Sequence, residues 1–177
     1  MGAAHGGGIP RMNPIAIRRE AEELLYREAL LLDRGQWDEW LALYLEDCVF
    51  WMPAWRDETT STEDPEAELS LVYYRGRKNL EDRVWRARSG QSVASRPLPR
   101  VSHSVTNVLV EHAEGDTATV TASFAVHLYD VRADRTHAFF GRYDYRMQRV
   151  EEAWRIASKK ILLLNDVIPT VVDFYSI

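Results

Sequence analysis

"TATVTASFAVHLYDV", residues 117–131, puts Ala118, Val120, Ala122, Phe124, Val126 and Leu128 on one side. Mostly Thr, Ser, His and Tyr fall on the other. Apolar residues at every second position are the period of a strand with one face buried, because successive side chains leave a strand on opposite sides. The pattern spreads outward from here. Past a turn at "RADR" (132–135), His137, Phe139, Tyr143, Tyr145 and Met147 alternate with Arg142, Asp144, Arg146 and Gln148. A third run, "EAWRIASKKILLLNDV" (152–167), and an upstream run from Val101 predict an antiparallel meander of long strands.

The N-terminal half has a different period. Asn13-Pro14 is a helix start: a capping side chain, then a proline where its missing N–H is harmless. Ile17, Ala21, Leu24, Leu25, Leu31 and Leu32 follow at helical spacing, and Gly35 stands where a left-handed cap ends the helix. "GQWDEWLALYLEDCVFWMP" (35–53) then holds three Trp, one Phe, one Tyr and the only Cys. Trp37, Trp40, Leu41 and Tyr44 share one face of a predicted short second helix, and residues 48–52 read as a strand with Phe50 or Trp51 turned to the core. Residues 56–68 are an acidic loop, "LSLVYY" (69–74) a short strand, "KNLEDRVWRAR" (78–88) a third helix and 89–100 an irregular connector. Helices first and long strands after predict an α+β fold, a cone-shaped half-barrel in which a curved antiparallel sheet wraps around the N-terminal helices. Residues 1–12 read as a flexible leader and 13–177 as a single domain.

The 177 residues are 46% apolar and 28% charged, an ordinary globular composition. A net charge of −5 lacks the basic stripe of a nucleic-acid-binding domain. No apolar run reaches the ~18 residues of a membrane span. One cysteine excludes an intrachain disulfide, and a zinc ribbon or iron–sulfur cluster held by this chain alone. The first residues lack a signal-peptide apolar core, so the expected location is the cytoplasm.

Chemistry has few candidates. No two of His5, His103, His112, His127 and His137 have helical i, i+4 zinc spacing, and none forms a Cys-x-His or Cys-x-x-His pair. No nucleophile elbow, P-loop or dinucleotide fingerprint is present, and Cys48 reads as a small buried hydrophobe. Acid–base chemistry in a dry cone interior would draw on Asp33 and His103, with Tyr44 as a donor. Strand parity turns His103 inward with Val101 and Val105, and His127 outward, so the two histidines do not converge. A histidine bonded to a buried carboxylate or carbonyl is the plainer reading of His103. An apolar binding pocket would be lined by Trp37, Trp40, Phe50 and Trp51. Arg75, Arg77, Lys78, Arg83, Arg86 and Arg88, interleaved with Trp85, form either a solvated face or a protein interface. Tyr129 and Phe140 on the outer sheet face also suit protein contact.

Five segments carry a resemblance: "LLYREALLLDRGQWDEWLALYLEDCVFWMPAW" (24–55), "TEDPEAELSLVYY" (62–74), "NLEDRVWRA" (79–87), "PRVSHSVTNV" (99–108) and "KKILLLNDVIPTVVDFYSI" (159–177). Together they resemble the small (beta) subunit of aromatic-ring-hydroxylating dioxygenases, and "TEDP" followed by "LSLVYY" is similar to the benzoate and anthranilate branch. The resemblance implies a cystatin-like, nuclear-transport-factor-2-like cone. It implies three beta subunits assembled with three alpha subunits, the alpha chain carrying a Rieske iron–sulfur cluster and a mononuclear iron. The complex would cis-dihydroxylate an aromatic ring with O2 and electrons from NADH, and no residue here would be catalytic. The same cone also serves free-standing enzymes, and Asp33 with His103 resembles half of the scytalone dehydratase acid–base pattern. A dehydratase, isomerase or cyclase is therefore the rival expectation.

Overall fold

A computed structural model describes residues 13–90 and 97–177. The leader and part of the 89–100 connector lie outside the described residues. The elements are α1 (Pro14–Asp33), α2 (Trp37–Leu41), β1 (Tyr44–Pro53), β2 (Ser70–Arg75), α3 (Arg77–Ser89), β3 (Arg100–Glu114), β4 (Thr117–Asp130), β5 (Arg135–Val150) and β6 (Ala153–Leu163), closed by a 3-10 turn at Phe174–Ser176.

Helix α1 starts as its sequence dictates: the Asn13 side chain accepts from the Ile15 N–H at 3.0 Å. It stops at Gly35, whose φ of +66° costs a residue without Cβ nothing. Its buried stripe is Ile17, Ala21, Leu24, Leu25, Glu28, Ala29 and Leu32, packed mainly against β3. The stripe includes one carboxylate, Glu28.

The sheet order is β2-β1-β6-β5-β4-β3. Strands β3 to β6 form the predicted antiparallel meander, but the sheet is mixed, because β1 runs parallel to β6. That corrects the all-antiparallel expectation. The meander returns β6 to the centre of the sheet, and β1, more than a hundred residues earlier, meets it through a long crossover of the kind parallel pairs require. A second correction concerns Tyr44. Helix α2 ends at Leu41, and Tyr44 opens β1. The helical spacing persisted in the sequence because Trp40 and Tyr44 face the same core across the junction, ring centroids 5.1 Å apart.

Parity on β4 and β5 is as read: Ala118 to Leu128 and Phe139 to Met147 are buried at alternate positions. Gly141 in β5 has no room for a side chain. A Cβ there would sit 2.0 Å from the Leu162 carbonyl oxygen and 3.0 Å from the Phe124 ring. Only glycine allows that approach, beside the Phe124–Tyr143 stack at 4.1 Å. The β5–β6 turn has only two residues, Glu151 and Glu152, at φ +48° and +67°. Both take the left-handed conformation a tight hairpin needs, without the Asn-Gly chemistry that makes it easy.

Candidate active site

The aromatic seam is packed solid. Trp40 lies 5.1 Å from Phe174 and 6.3 Å from Phe50, and Trp37 stacks on Tyr175 at 5.9 Å. The C-terminal residues thus fill the space an aromatic pocket would have needed. Phe50 faces this core, whereas Trp51 lies on the other side of β1, donating to Ser70 Oγ at 2.9 Å with Lys160 Nζ 4.8 Å from its ring.

Asp33 and His103, 70 residues apart, meet where α1 ends against β3. The Asp33 carboxylate accepts from His103 Nδ1 at 2.6 Å and from the His103 backbone N–H at 3.1 Å to each oxygen. The His103 side chain is 2% exposed and Asp33 23%. The other ring nitrogen, Nε2, is buried and has no hydrogen-bond partner among the described residues. A shallow groove lined by Tyr26, Leu30, Asp33, His103 and Thr106 adjoins the pair. His127 faces outward and exposed. Tyr44 joins neither, and is bonded to a different carboxylate.

That carboxylate is Glu28, one and a half turns earlier on α1. It is 1% exposed and accepts from four donors: the Tyr44 hydroxyl, Tyr145 OH at 2.6 Å, Lys159 Nζ at 3.0 Å and Trp40 Nε1 at 3.4 Å. Lys159, equally buried, also sits 4.1 Å from the Tyr143 ring and within 6 Å of Tyr145 and Phe50. Burial alone would raise the Glu28 pKa, but the Lys159 charge and the hydroxyl donors outweigh it and hold the carboxyl below its ordinary value. Burial draws Lys159 down, only partly offset by Glu28. Four donors converge on Glu28 and favour its ionised form. Burial, then the Glu28 charge, pushes Tyr44 and Tyr145 well above the usual phenol range, so both remain donors.

Sequence reasoning missed this cluster, although a signal was present. Glu28 falls between Leu25 and Leu32 on the apolar stripe. Lys159 shares parity with Ile161 and Leu163, and the register shift that puts it there lies just upstream on β6. Chemically the cluster is enclosed: Glu28 Oε1 accepts three bonds and Oε2 one, and none of the described grooves reaches either residue. Among the described residues, no three His, Cys, Asp or Glu gather as metal ligands.

The interface candidates divide. Arg83 is bound to Asp173 through two bonds of 2.9 and 2.7 Å. Arg77 reaches Glu81 at 3.1 Å and the Tyr44 carbonyl at 3.3 Å, and Tyr129 donates to Asp134. Arg75, Trp85, Arg86 and Phe140 are exposed, with Arg75 3.5 Å from Glu66.

Comparison with known proteins gives this geometry a context. The family described as "Ring hydroxylating beta subunit" matches residues 27–170. The benzoate 1,2-dioxygenase subunit beta of Acinetobacter baylyi is 39% identical, over 89% of this chain and 92% of its own. The anthranilate 1,2-dioxygenase small subunit of the same organism is 37% identical, over 88% and 94%. The crystal structure of the benzoate 1,2-dioxygenase beta subunit of Burkholderia mallei superposes with a TM-score of 0.75 at 36% identity, over 96% of this chain and all of that one. A candidate scytalone dehydratase of Novosphingobium aromaticivorans, 15% identical with a TM-score of 0.68 over 90% and 94%, shares the cone fold alone. The chain belongs to the ring-hydroxylating beta subunit family, the small subunits of aromatic-ring-hydroxylating dioxygenases, with relatives of the benzoate and anthranilate type.

Proposed function

We propose that this chain is the non-catalytic small subunit of a terminal oxygenase whose iron-bearing alpha subunit cis-dihydroxylates an aromatic carboxylate of the benzoate class. The observation that carries the reading is the family match along most of the chain, together with a cone interior occupied by its own side chains. In this reading the Rieske cluster and mononuclear iron are carried by the alpha subunit, as the kinship with dioxygenase small subunits implies. Electrons come from NADH, and three beta subunits assemble with three alpha subunits in the cytoplasm. No helix among the described residues is long and apolar enough to cross a membrane.

The dehydratase or isomerase reading is not favoured. Asp33 and His103 do meet, but Tyr44 is committed to Glu28, and the curated relatives named above are dioxygenase subunits. The test is to purify the chain alone and with the alpha subunit, then measure iron and turnover of benzoate. Iron and hydroxylation should appear only with the alpha subunit. Stoichiometric iron or turnover from this chain alone would overturn the assignment.

A further inference from the structure

The turn Asp173–Ile177 fills the aromatic seam with groups of one chemistry, a carboxylate followed by a ring. Arg83 of α3 holds the Asp173 carboxylate through two parallel bonds, from Nε to Oδ1 at 2.9 Å and from a terminal nitrogen to Oδ2 at 2.7 Å. That fork is the planar match a guanidinium makes with a carboxylate. The next side chain, Phe174, stacks on Trp40 at 5.1 Å and lies 5.2 Å from Trp37 at 78° to its plane. Phe50 sits 6.3 Å from Trp40, and Tyr74 6.3 Å from Phe50; Tyr74 is in turn within electrostatic reach of both Arg83 and Asp173. The contacts thus close a ring from the guanidinium round the indoles and back.

The turn is bonded mainly to itself. Asp173 Oδ1 accepts from the Phe174 N–H at 2.8 Å, and the Asp173 N–H donates to Ser176 Oγ at 2.9 Å. Ser176 donates back to the Asp173 carbonyl, from its hydroxyl at 2.9 Å and from its N–H at 2.8 Å. Apart from the Arg83 fork, the hydrogen bonds of Asp173 and Ser176 among the described residues stay inside the turn. The chain leading into it is open. Past Asn165, tied to Phe140 and Ala138 by bonds of 3.0 and 2.9 Å, residues 166–169 and Val171 are exposed, Val167 to 72%. The turn also serves its surroundings incompletely. Trp37 Nε1 is buried and has no hydrogen-bond partner among the described residues, a cost that an occupant carrying a further acceptor would remove. Arg83 is 25% exposed and Asp173 3%, so the guanidinium meets water where the carboxylate does not.

We propose that Arg83, Trp37, Trp40 and Phe50 form a binding site for an arylalkanoate, a carboxylate joined to an aromatic ring by a short aliphatic spacer, and that Asp173 and Phe174 occupy it as the chain's own stand-in. The spacer follows from the stand-in, whose carboxylate and ring belong to consecutive residues. The ligand takes the guanidinium fork with its carboxylate, lays its ring between the indoles and lifts the turn out as a unit. Every group in the site belongs to this chain, so its test needs no alpha subunit and leaves the assembly reading untouched.

The test uses the full chain with 3-phenylpropionate as the probe, measuring affinity by calorimetric titration and the protection of each segment by hydrogen exchange. Asp173→Asn keeps a side-chain oxygen for the Phe174 N–H but gives up the charge that competes for Arg83. It should bind the probe at least tenfold more tightly than the parent. Adding Arg83→Met should remove at least tenfold of that affinity. Hexanoate, which has no ring, and 3-phenylpropanol, which has no charge, should each bind at least tenfold more weakly than the probe. In parent and variant alike, saturating probe should strip exchange protection from residues 173–177. If Asp173→Asn does not fold, the parent measurement decides alone. A probe that binds neither protein overturns the inference. So does binding that survives Arg83→Met or leaves residues 173–177 protected, which would mark a site elsewhere on the surface. Hexanoate bound as tightly as the probe overturns the ligand class and gives the slot to a fatty acid.

Discussion

Two carboxylates five residues apart on α1 have opposite surroundings. Glu28 lies under the sheet with four donors and a buried lysine, while Asp33 sits at the helix end, partly open, and holds one histidine. The position that looked chemical in the sequence is a clasp between α1 and β3. The one that looked like a gap in an apolar stripe is the electrostatic centre of the fold. In a cone, then, a carboxylate's depth decides whether it is left with anything to bind. Glu28 accepts from four donors of its own chain, while His103 Nε2 beside Asp33 and the Tyr143 hydroxyl, whose ring packs on Lys159, are among the buried polar atoms without a partner among the described residues.

The largest expected effect tests Glu28. Removing one member of a buried pair strands the other charge, so Glu28→Gln should cost about 3–5 kcal/mol in denaturant unfolding. Adding Lys159→Met should recover much of the loss, because a packed apolar side chain replaces the orphaned cation. If the single variant is as stable as the parent, the cluster is not the centre claimed here. Trp40→Ala, which removes a donor to Glu28 and the Phe174 contact, should cost a similar 3–5 kcal/mol and impair folding or assembly before any chemistry. A folded, assembled but inactive Trp40→Ala complex would make the seam an active-site wall.

Asp33→Ala should cost less, about 1.5–3 kcal/mol, since water can reach part of the site and replace some of the lost bonds. The complex should keep its turnover once assembled. Turnover lost with melting and assembly intact would return Asp33 and His103 to the chemistry and break the comparison.

Acid sharpens it further. The Glu28 pKa is lowered on folding, so its contribution is complete above the unfolded value near 4.5 and is lost as pH falls through the folded one. The Lys159 pKa is also lowered, so burying its charge costs stability at neutral pH, and that cost recedes as pH rises toward 10.5. Melting temperature should therefore drop below about pH 4.5, and Glu28→Gln should flatten that part of the profile. The smallest change is a control remote from both carboxylates: Glu151→Asn with Glu152→Gly should raise the melting temperature by a few degrees by relieving two left-handed residues. No gain would mean the turn carries no strain.

Local pattern made much of this legible. Asn13-Pro14, the stop at Gly35, the alternation of β4 and β5 and the inward parity of His103 are set by neighbours within a few residues, and period alone reveals them. The resemblance of residues 24–55 and 159–177 to the dioxygenase small subunits was legible for the same reason, as a pattern along the chain. Closure of the cone decided the rest. Whether Lys159 faces Glu28 across 131 residues depends on a register shift in β6, and whether β1 runs parallel to β6 depends on where the meander ends. Tyr44 bonds to Glu28 only because β1 lies beside β6, and Val167 is left in the open only because the chain is clasped on either side of it. A sequence states which way a side chain faces within its own element; which element it then meets is fixed only when distant strands pair.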